Sequence, residues 1–222
     1  MAEIRLVGTA HVSQKSIDEV REAMETFQPD IVAVELDPAR CAALKKQGEE
    51  PSIADVFRSG NFTQLLVQWL LAHLQRRIGS EVGVEPGAEM KVAIEEAEQR
   101  SLPIALIDRD IRITLTRFLN AMTFIEKLRL LYALAVSMLA TETEEIDVEE
   151  LTRQDVMTAA LDEFRRFSPR GARALIDERD AYLAHKIRML ARSHEKVLAV
   201  VGAGHVRGIQ RFLEDPQSLP PL

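Results

Sequence analysis

The sequence predicts an α/β fold, with a small, largely parallel central sheet of about four strands and a large helical insertion. Three observations predict it. Four short apolar runs, "IRLVG" (4–8), "IVAVEL" (31–36), "IALID" (104–108) and "VLAVVG" (197–202), are nearly continuous rather than alternating. Strands covered on both faces look like this. Helix-period segments separate these runs, and strand–helix alternation calls for parallel pairing. Residues 111–192, by contrast, carry no strand signal at all and read as a block of helices.

Taken in order, the first strand gives way to "SQKSIDEVREAMETF" (13–27), where Ser13 is a cap and Ile17, Val20, Met24 and Phe27 share one face. The second strand leads into a helical insertion over 38–86, built around "NFTQLLVQWLLAHLQRRIG" (61–79) with Trp69 on its apolar face. "GAEMKVAIEEAEQR" (87–100) is the helix before the third strand. In the second insertion, 111–192, the Met and Leu residues of 115–139 follow helical spacing and read as core. Its most apolar stretch, "LRLLYALAVSMLA" (128–140), is too short to span a bilayer and reads as a buried helix. Residues 1–213 thus form one expected domain, and "EDPQSLPPL" (214–222) is a Pro-rich tail.

Composition narrows the function. The chain has 222 residues, enough for a substantial core, and is 46% hydrophobic and 28% charged with a net charge of −7. Without a basic block, nucleic acid is not an expected partner. The acidic run 141–150 reads as a solvated connection between helices. Cys41 is the only cysteine, so neither an internal disulfide nor a Cys-based zinc cluster can form. "MAEIRLVGTAHV" lacks the basic and long apolar regions of a signal peptide, and as it stands the sequence reads as cytoplasmic. The long apolar helices at 61–79 and 111–140 suit packing against a second chain, so a homodimer is a further expectation.

Chemistry is expected at the carboxyl ends of the parallel strands. The polar residues there are His11, Glu35, Asp37, Asp108, Arg109, Asp110 and His205. Both His11 and His205 follow a Gly-x-x-His phrase, "VGTAHV" and "VGAGHV", in which Gly8 and Gly202 let the chain turn out of the strand. Glu35 closes an apolar strand, where a carboxylate wants a metal or an arginine, with Arg40 and Arg109 as candidates. Glu89 lies near a helix N-terminus, where it is either a dipole-stabilised cap or a site residue. Two imidazoles and one or two carboxylates make an N/O set for Zn, Mn, Co or Fe, or else core histidines paired with acids. In "LIDERDAYLAHKI" (175–187), helical spacing groups Glu178, Tyr182 and His185, with Arg179 and Asp180 beside them. That face is either an ordinary ion-paired surface or one that aims Arg179 or Tyr182 at the sheet edge to stabilise an oxyanion. His73 and His194 are not expected to be ligands.

Six collinear blocks, "LVGTAHVSQKSIDEV", "VAVELDPAR", "GAEMKVAI", "LIDRDIRITLTR", "ERDAYLAHKI" and "VVGAGHVRGI", together resemble the TraB/PrgY (pheromone-shutdown) family and cover residues 6 to 209. The wider superfamily includes the TIKI metal-dependent proteases and GumN-like proteins, and more distantly erythromycin-esterase-like and ChaN-like proteins. The resemblance implies a small sheet with surrounding helices and one site that brings His11 and His205 together. It also implies site roles for Glu35, Glu89, Asp108, Arg109, Glu178, Arg179 and Tyr182.

The activity implied is metal-dependent hydrolysis of a peptide or small-protein substrate. His11, His205, Glu35 and Glu89 would hold the divalent ion, with one glutamate acting instead as general base and Arg109 or Arg179 stabilising the oxyanion. Metal-free hydrolysis with histidine as base, or a module that sequesters a peptide signal, are the alternatives. Many microbial members of that family continue into a membrane-spanning region where this sequence stops, so membrane association is expected only of a longer form.

Overall fold

The computed structural model describes residues 2–9, 14–45, 88–139 and 162–215. A four-stranded, all-parallel sheet forms from β1 (Glu3–Thr9), β2 (Ile31–Val34), β3 (Ile104–Leu106) and β4 (Lys196–Gly202), in the order β1-β4-β2-β3. All four apolar runs are therefore strands. β2 and β3 stop short of the ends of their runs, so that Glu35 and Asp108 fall just beyond the ladder.

The helices are α1 (Gln14–Phe27), α2 (Pro38–Lys45), α3 (Ala88–Gln99), α4 (Ile111–Ala121), α5 (Phe124–Leu139), α6 (Pro169–Ala172), α7 (Glu178–Leu190) and α8 (Ala203–Glu214). Residues 162–167 are also helical, and a π-helical turn, Arg173–Asp177, runs straight into α7.

The sheet is covered on both faces, which is why its two central strands are apolar apart from Lys196 at the start of β4. On one side Val20, Met24 and Phe27 of α1 and Met90, Ala93, Ile94 and Ala97 of α3 pack against Val32, Val34, Leu198 and Val200. On the other, Leu183, Ala184 and Ile187 of α7 and Ile209 and Phe212 of α8 pack against Ile31, Ala33, Val197, Ala199 and Val201. Each large side chain so buried stabilises the fold by about 1.5–3 kcal/mol. β4 lies between β1 and β2, and the helices that follow those two strands leave on the opposite face from α8. A crevice at the carboxyl end of β4 follows from that divergence.

The structure corrects two expectations. Gly8 lies inside β1 and makes no turn; a side chain there would put its Cβ 2.6 Å from Val206 Cγ2, so glycine is needed for the close approach of α8. The N-terminal half of α5 is not core, because Phe124, Ile125, Leu128 and Tyr132 are all more than half exposed. Among the described side chains of 111–132 the buried ones are Thr114, Phe118, Met122 and Glu126. On α7, Glu178 and Tyr182 are half-buried, and Glu178 lies on an ion-paired surface, one of the two readings of that face. The buried stripe of α7 is Asp180, Leu183, Ala184 and Ile187, and His185 is exposed. Ser13, the segment 61–79 with Trp69, His73, the acidic run 141–150 and the tail beyond Asp215 lie outside the described residues.

Candidate functional site

The strand order sets the carboxyl ends of β4, β2 and β3 side by side, and three acceptors stand in a row above them. Glu35 follows β2, Asp108 follows β3, and His205 sits in the first turn of α8 after β4. Glu35 reaches across to β4, where its Oε2 accepts from the Gly202 N–H at 2.6 Å. Gly202 is the N-cap of α8, so the carboxylate meets the positive end of that helix.

Arg179, in the first turn of α7, comes down on all three groups. Its Nη2 donates to Glu35 Oε1 and to Asp108 Oδ2, each at 2.5 Å, and its Nε donates to Asp108 Oδ1 at 2.9 Å. Its Nη1 lies 3.0 Å from His205 Nε2. The two-pronged grip on Asp108 is the geometry for which a guanidinium is suited and an ammonium is not. Arg40, half-exposed on α2, adds a bond from Nη1 to Asp108 Oδ2 at 3.1 Å. Burial alone would push the Asp108 carboxyl up, but Arg179, the Arg109 backbone N–H and Arg40 together hold it below the ordinary 3.8. Burial works against the Arg179 charge as well, yet Asp108 and Glu35 raise its pKa above the usual arginine value.

The donors assign the tautomer of His205. A guanidinium can only donate, so His205 Nε2 must present its lone pair to Arg179. The proton therefore sits on Nδ1, 2.5 Å from Asp180 Oδ1. Asp180 is 2% exposed, and burial pushes its carboxyl up against the lowering effect of His205. Its room comes from Gly208 on α8, where a Cβ would fall 1.9 Å from Asp180 Oδ2. A buried carboxylate thus orients the imidazole, and its other nitrogen faces Arg179 and Glu35.

Not every residue singled out in the sequence joins this cluster. Glu35, Asp108, Arg179 and His205 do. Arg109 turns away from the carboxyl groups: its Nε donates to Thr114 Oγ1 at 3.1 Å, its Nη2 to the Ala174 carbonyl at 3.4 Å, and its Nη1 lies 3.6 Å from Glu178. Glu178 also accepts from Arg117 Nε at 2.6 Å, an ordinary ion-paired surface. Tyr182 is half-buried with the Lys186 ammonium 5.6 Å over its ring. Glu89 is buried in the first turn of α3. Asp37 caps α2 through Oδ1, and its buried Oδ2 has no hydrogen-bond partner among the described residues. His11 lies outside them. His194 ends α7, with Nδ1 3.1 Å from the Leu190 carbonyl.

Sequence reasoning weighed Arg40 and Arg109 as partners of Glu35, and the partner is Arg179. It did not identify Asp180 as the brace of His205. A signal for that residue was present: Asp180 is the one charged member of the i, i+3, i+4, i+7 stripe completed by Leu183, Ala184 and Ile187. A charge in such a stripe needs a buried partner.

Among the described residues, no group of three or more His, Cys, Asp or Glu side chains is placed to hold a metal ion. His205 Nε2 and Glu35 Oε1 do face each other at 3.6 Å. As arranged they do not fit a metal, because Arg179 donates to both atoms.

Residues 2–217 match the TraB/PrgY/gumN family. The chain is 38% identical over 216 residues to an uncharacterized protein of Methanocaldococcus jannaschii, covering 96% of this chain and 53% of that one. It is 30% identical over 238 residues to the TraB domain-containing protein of Homo sapiens, and likewise to that of Mus musculus, covering 95% of this chain and 62% of each relative. The chain therefore spans between half and two thirds of the length of these relatives. Among the described residues, no helix is long and apolar enough to cross a membrane.

Proposed function

We propose, from the premise that the chain belongs to the TraB/PrgY/gumN family, that it is a hydrolase acting on the carbonyl of a peptide or small-protein substrate, with His205 as its base. The observation that carries this reading is the Asp180–His205 pair, with Nδ1 bonded to a buried carboxylate and Nε2 turned to the Arg179 guanidinium. A base so oriented has the correct tautomer before substrate arrives, and its cationic form is stabilised as it takes a proton.

In the free protein Arg179 Nη1 donates to His205 Nε2. A substrate carbonyl that accepts from Nη1 instead frees the imidazole lone pair and comes under a fixed positive charge. Water then attacks the carbonyl carbon and its proton passes to Nε2. The oxyanion gathers at Arg179, and the proton moves on to the leaving nitrogen as the C–N bond breaks. Glu35 and Asp108 hold the guanidinium in place throughout.

One observation favours a second reading, in which His11, His205, Glu35 and Glu89 bind Zn, Mn, Co or Fe: the 3.6 Å between His205 Nε2 and Glu35 Oε1. That reading requires Arg179 to leave both atoms first.

A peptide mixture incubated with the protein and followed by mass spectrometry tests the proposal. Cleavage that survives chelation, falls by about 10²–10⁴-fold in His205→Gln and falls also in Asp180→Asn supports it. Cleavage abolished by chelation and restored by Mn or Zn supports the metal reading. Peptide recovered intact from a stable complex supports a sequestering module and contradicts hydrolysis.

A further inference from the structure

The Glu35–His205 pair already has a cation. Arg179 Nη2 lies 2.5 Å from Glu35 Oε1 and Arg179 Nη1 3.0 Å from His205 Nε2, while those two acceptors are 3.6 Å apart. A divalent ion bound to both would sit about 2.0–2.2 Å from each, directly against the guanidinium nitrogens. Two positive charges at that separation in a partly buried site repel strongly, and the single lone pair of His205 Nε2 cannot serve both. We infer that guanidinium and divalent metal are alternative, mutually exclusive occupants of the Glu35–His205 pair, with Arg179 the resident one.

Three features favour the guanidinium. Asp108 grips it through two oxygens, Oδ1 at 2.9 Å from Nε and Oδ2 at 2.5 Å from Nη2. Arg40 adds a second cation to the same Asp108 Oδ2, at 3.1 Å. The side chain is also largely enclosed, at 17% exposure, so departure means breaking charge-assisted bonds and moving a long side chain out of a packed cleft. Removing the guanidinium would leave Glu35 Oε1 and His205 Nε2, 3.6 Å apart, without their cation, an N/O pair of the kind that Mn and Zn accept. The inference rests on the placement of these groups, and it does not depend on whether the site hydrolyses anything.

The test is metal binding, read without any activity assay. The untagged full chain and its Arg179→Met variant are titrated with Mn²⁺, with free ion counted by electron paramagnetic resonance, and their melting temperatures are followed in parallel. The expected result is that Arg179→Met binds one equivalent at least about tenfold more tightly than wild type and melts higher with Mn²⁺. Adding Glu35→Gln to that variant should remove both effects. Equal affinity in the two proteins, or tighter binding by wild type, overturns the inference.

Should Arg179→Met not fold, the wild-type chain suffices, with the Arg179 Nε–H and His205 ring resonances followed during Zn²⁺ titration. Both unmoved, or both moving together, agrees with exclusion. His205 moving while Arg179 stays overturns it, because the ion and the guanidinium would then share the pair.

Discussion

A guanidinium held by Glu35, by both oxygens of Asp108 and by the His205 ring cannot be deleted without leaving buried Glu35 to the Gly202 N–H alone and Asp108 to Arg40 and the Arg109 N–H. Arg179→Met should therefore destabilise the protein by about 3–5 kcal/mol at neutral pH, measured by denaturant unfolding. The difference should shrink in acid. Asp108 is held below its ordinary 3.8, so its contribution is present above that value and fades as pH falls through the folded one. A gap between wild type and variant that stays constant from pH 7 to well below the ordinary Asp range would show that Asp108 is not charged against Arg179. At the same scale, Gly208→Ala places a Cβ onto Asp180. It should cost about 1–3 kcal/mol through overpacking and disturb His205, whereas Arg207→Ala, exposed on the neighbouring position of α8, should change stability by less than about 0.5 kcal/mol.

At the scale of elements, two helix ends and one helix start are locally readable. α1 and α3 stop at Gln28 and Ser101, which adopt φ of 50° and 53°, and each is followed within two residues by a proline. Side chains other than glycine pay about 1–2 kcal/mol for that region, so Ser101→Gly should raise the melting temperature by a few degrees. A fall would show that the Ser101 side chain contributes more than the backbone strain costs.

α5 starts with a reciprocal cap. The Thr123 N–H and hydroxyl donate to Glu126 Oε2 at 2.6 and 2.7 Å, and the Glu126 N–H donates back to Thr123 Oγ1. Ser168 Oγ reaches Glu126 Oε1 at 2.8 Å and ties this start to α6. The Thr123 N–H above all holds Glu126 down at about 2, against an ordinary 4.5. A depressed carboxylate stabilises the fold above the unfolded value and loses that contribution between about 4.5 and about 2. Wild type should exceed Glu126→Gln in stability by about 1–2 kcal/mol at neutral pH and converge with it near pH 2, by thermal melts across that range.

For the molecule as a whole, the parts that could be read in advance were those with one-dimensional signals. The four apolar runs locate the strands because burial on both faces keeps them nearly free of polar residues, with Arg5 on the edge strand and Glu35 and Asp108 just beyond the ladder, and their parallel pairing follows from helices of the right period between them. Glu35, Asp108 and His205 could be nominated because each ends a strand on one edge. Strand order could not be read, since nothing local in β4 says that it inserts between β1 and β2, and that insertion makes Glu35 a neighbour of Gly202.

Side-chain direction failed for a related reason. Three residues in succession, Glu178, Arg179 and Asp180, are all charged, and only packing decides which face inward. The π-helical turn ahead of them, with Arg109 on its Ala174 carbonyl, contributes to that direction and has no sequence signature that spacing alone reveals. α5 misled for the opposite reason, because apolar helical spacing around Phe124, Leu128 and Tyr132 marks a face without saying what that face meets.

At the centre of the site His205 presents an unprotonated Nε2 to Arg179 while Asp180 holds the proton on Nδ1. Long-range proton–nitrogen correlation spectra of ¹⁵N-histidine-labelled protein at neutral pH, with His205 assigned by its absence in His205→Gln, measure this directly. A protonated Nδ1 and an unprotonated Nε2, with that distinction lost in Asp180→Asn, is the predicted result. A proton on Nε2 in the wild-type protein would contradict both the Arg179 contact and the base assigned to the site.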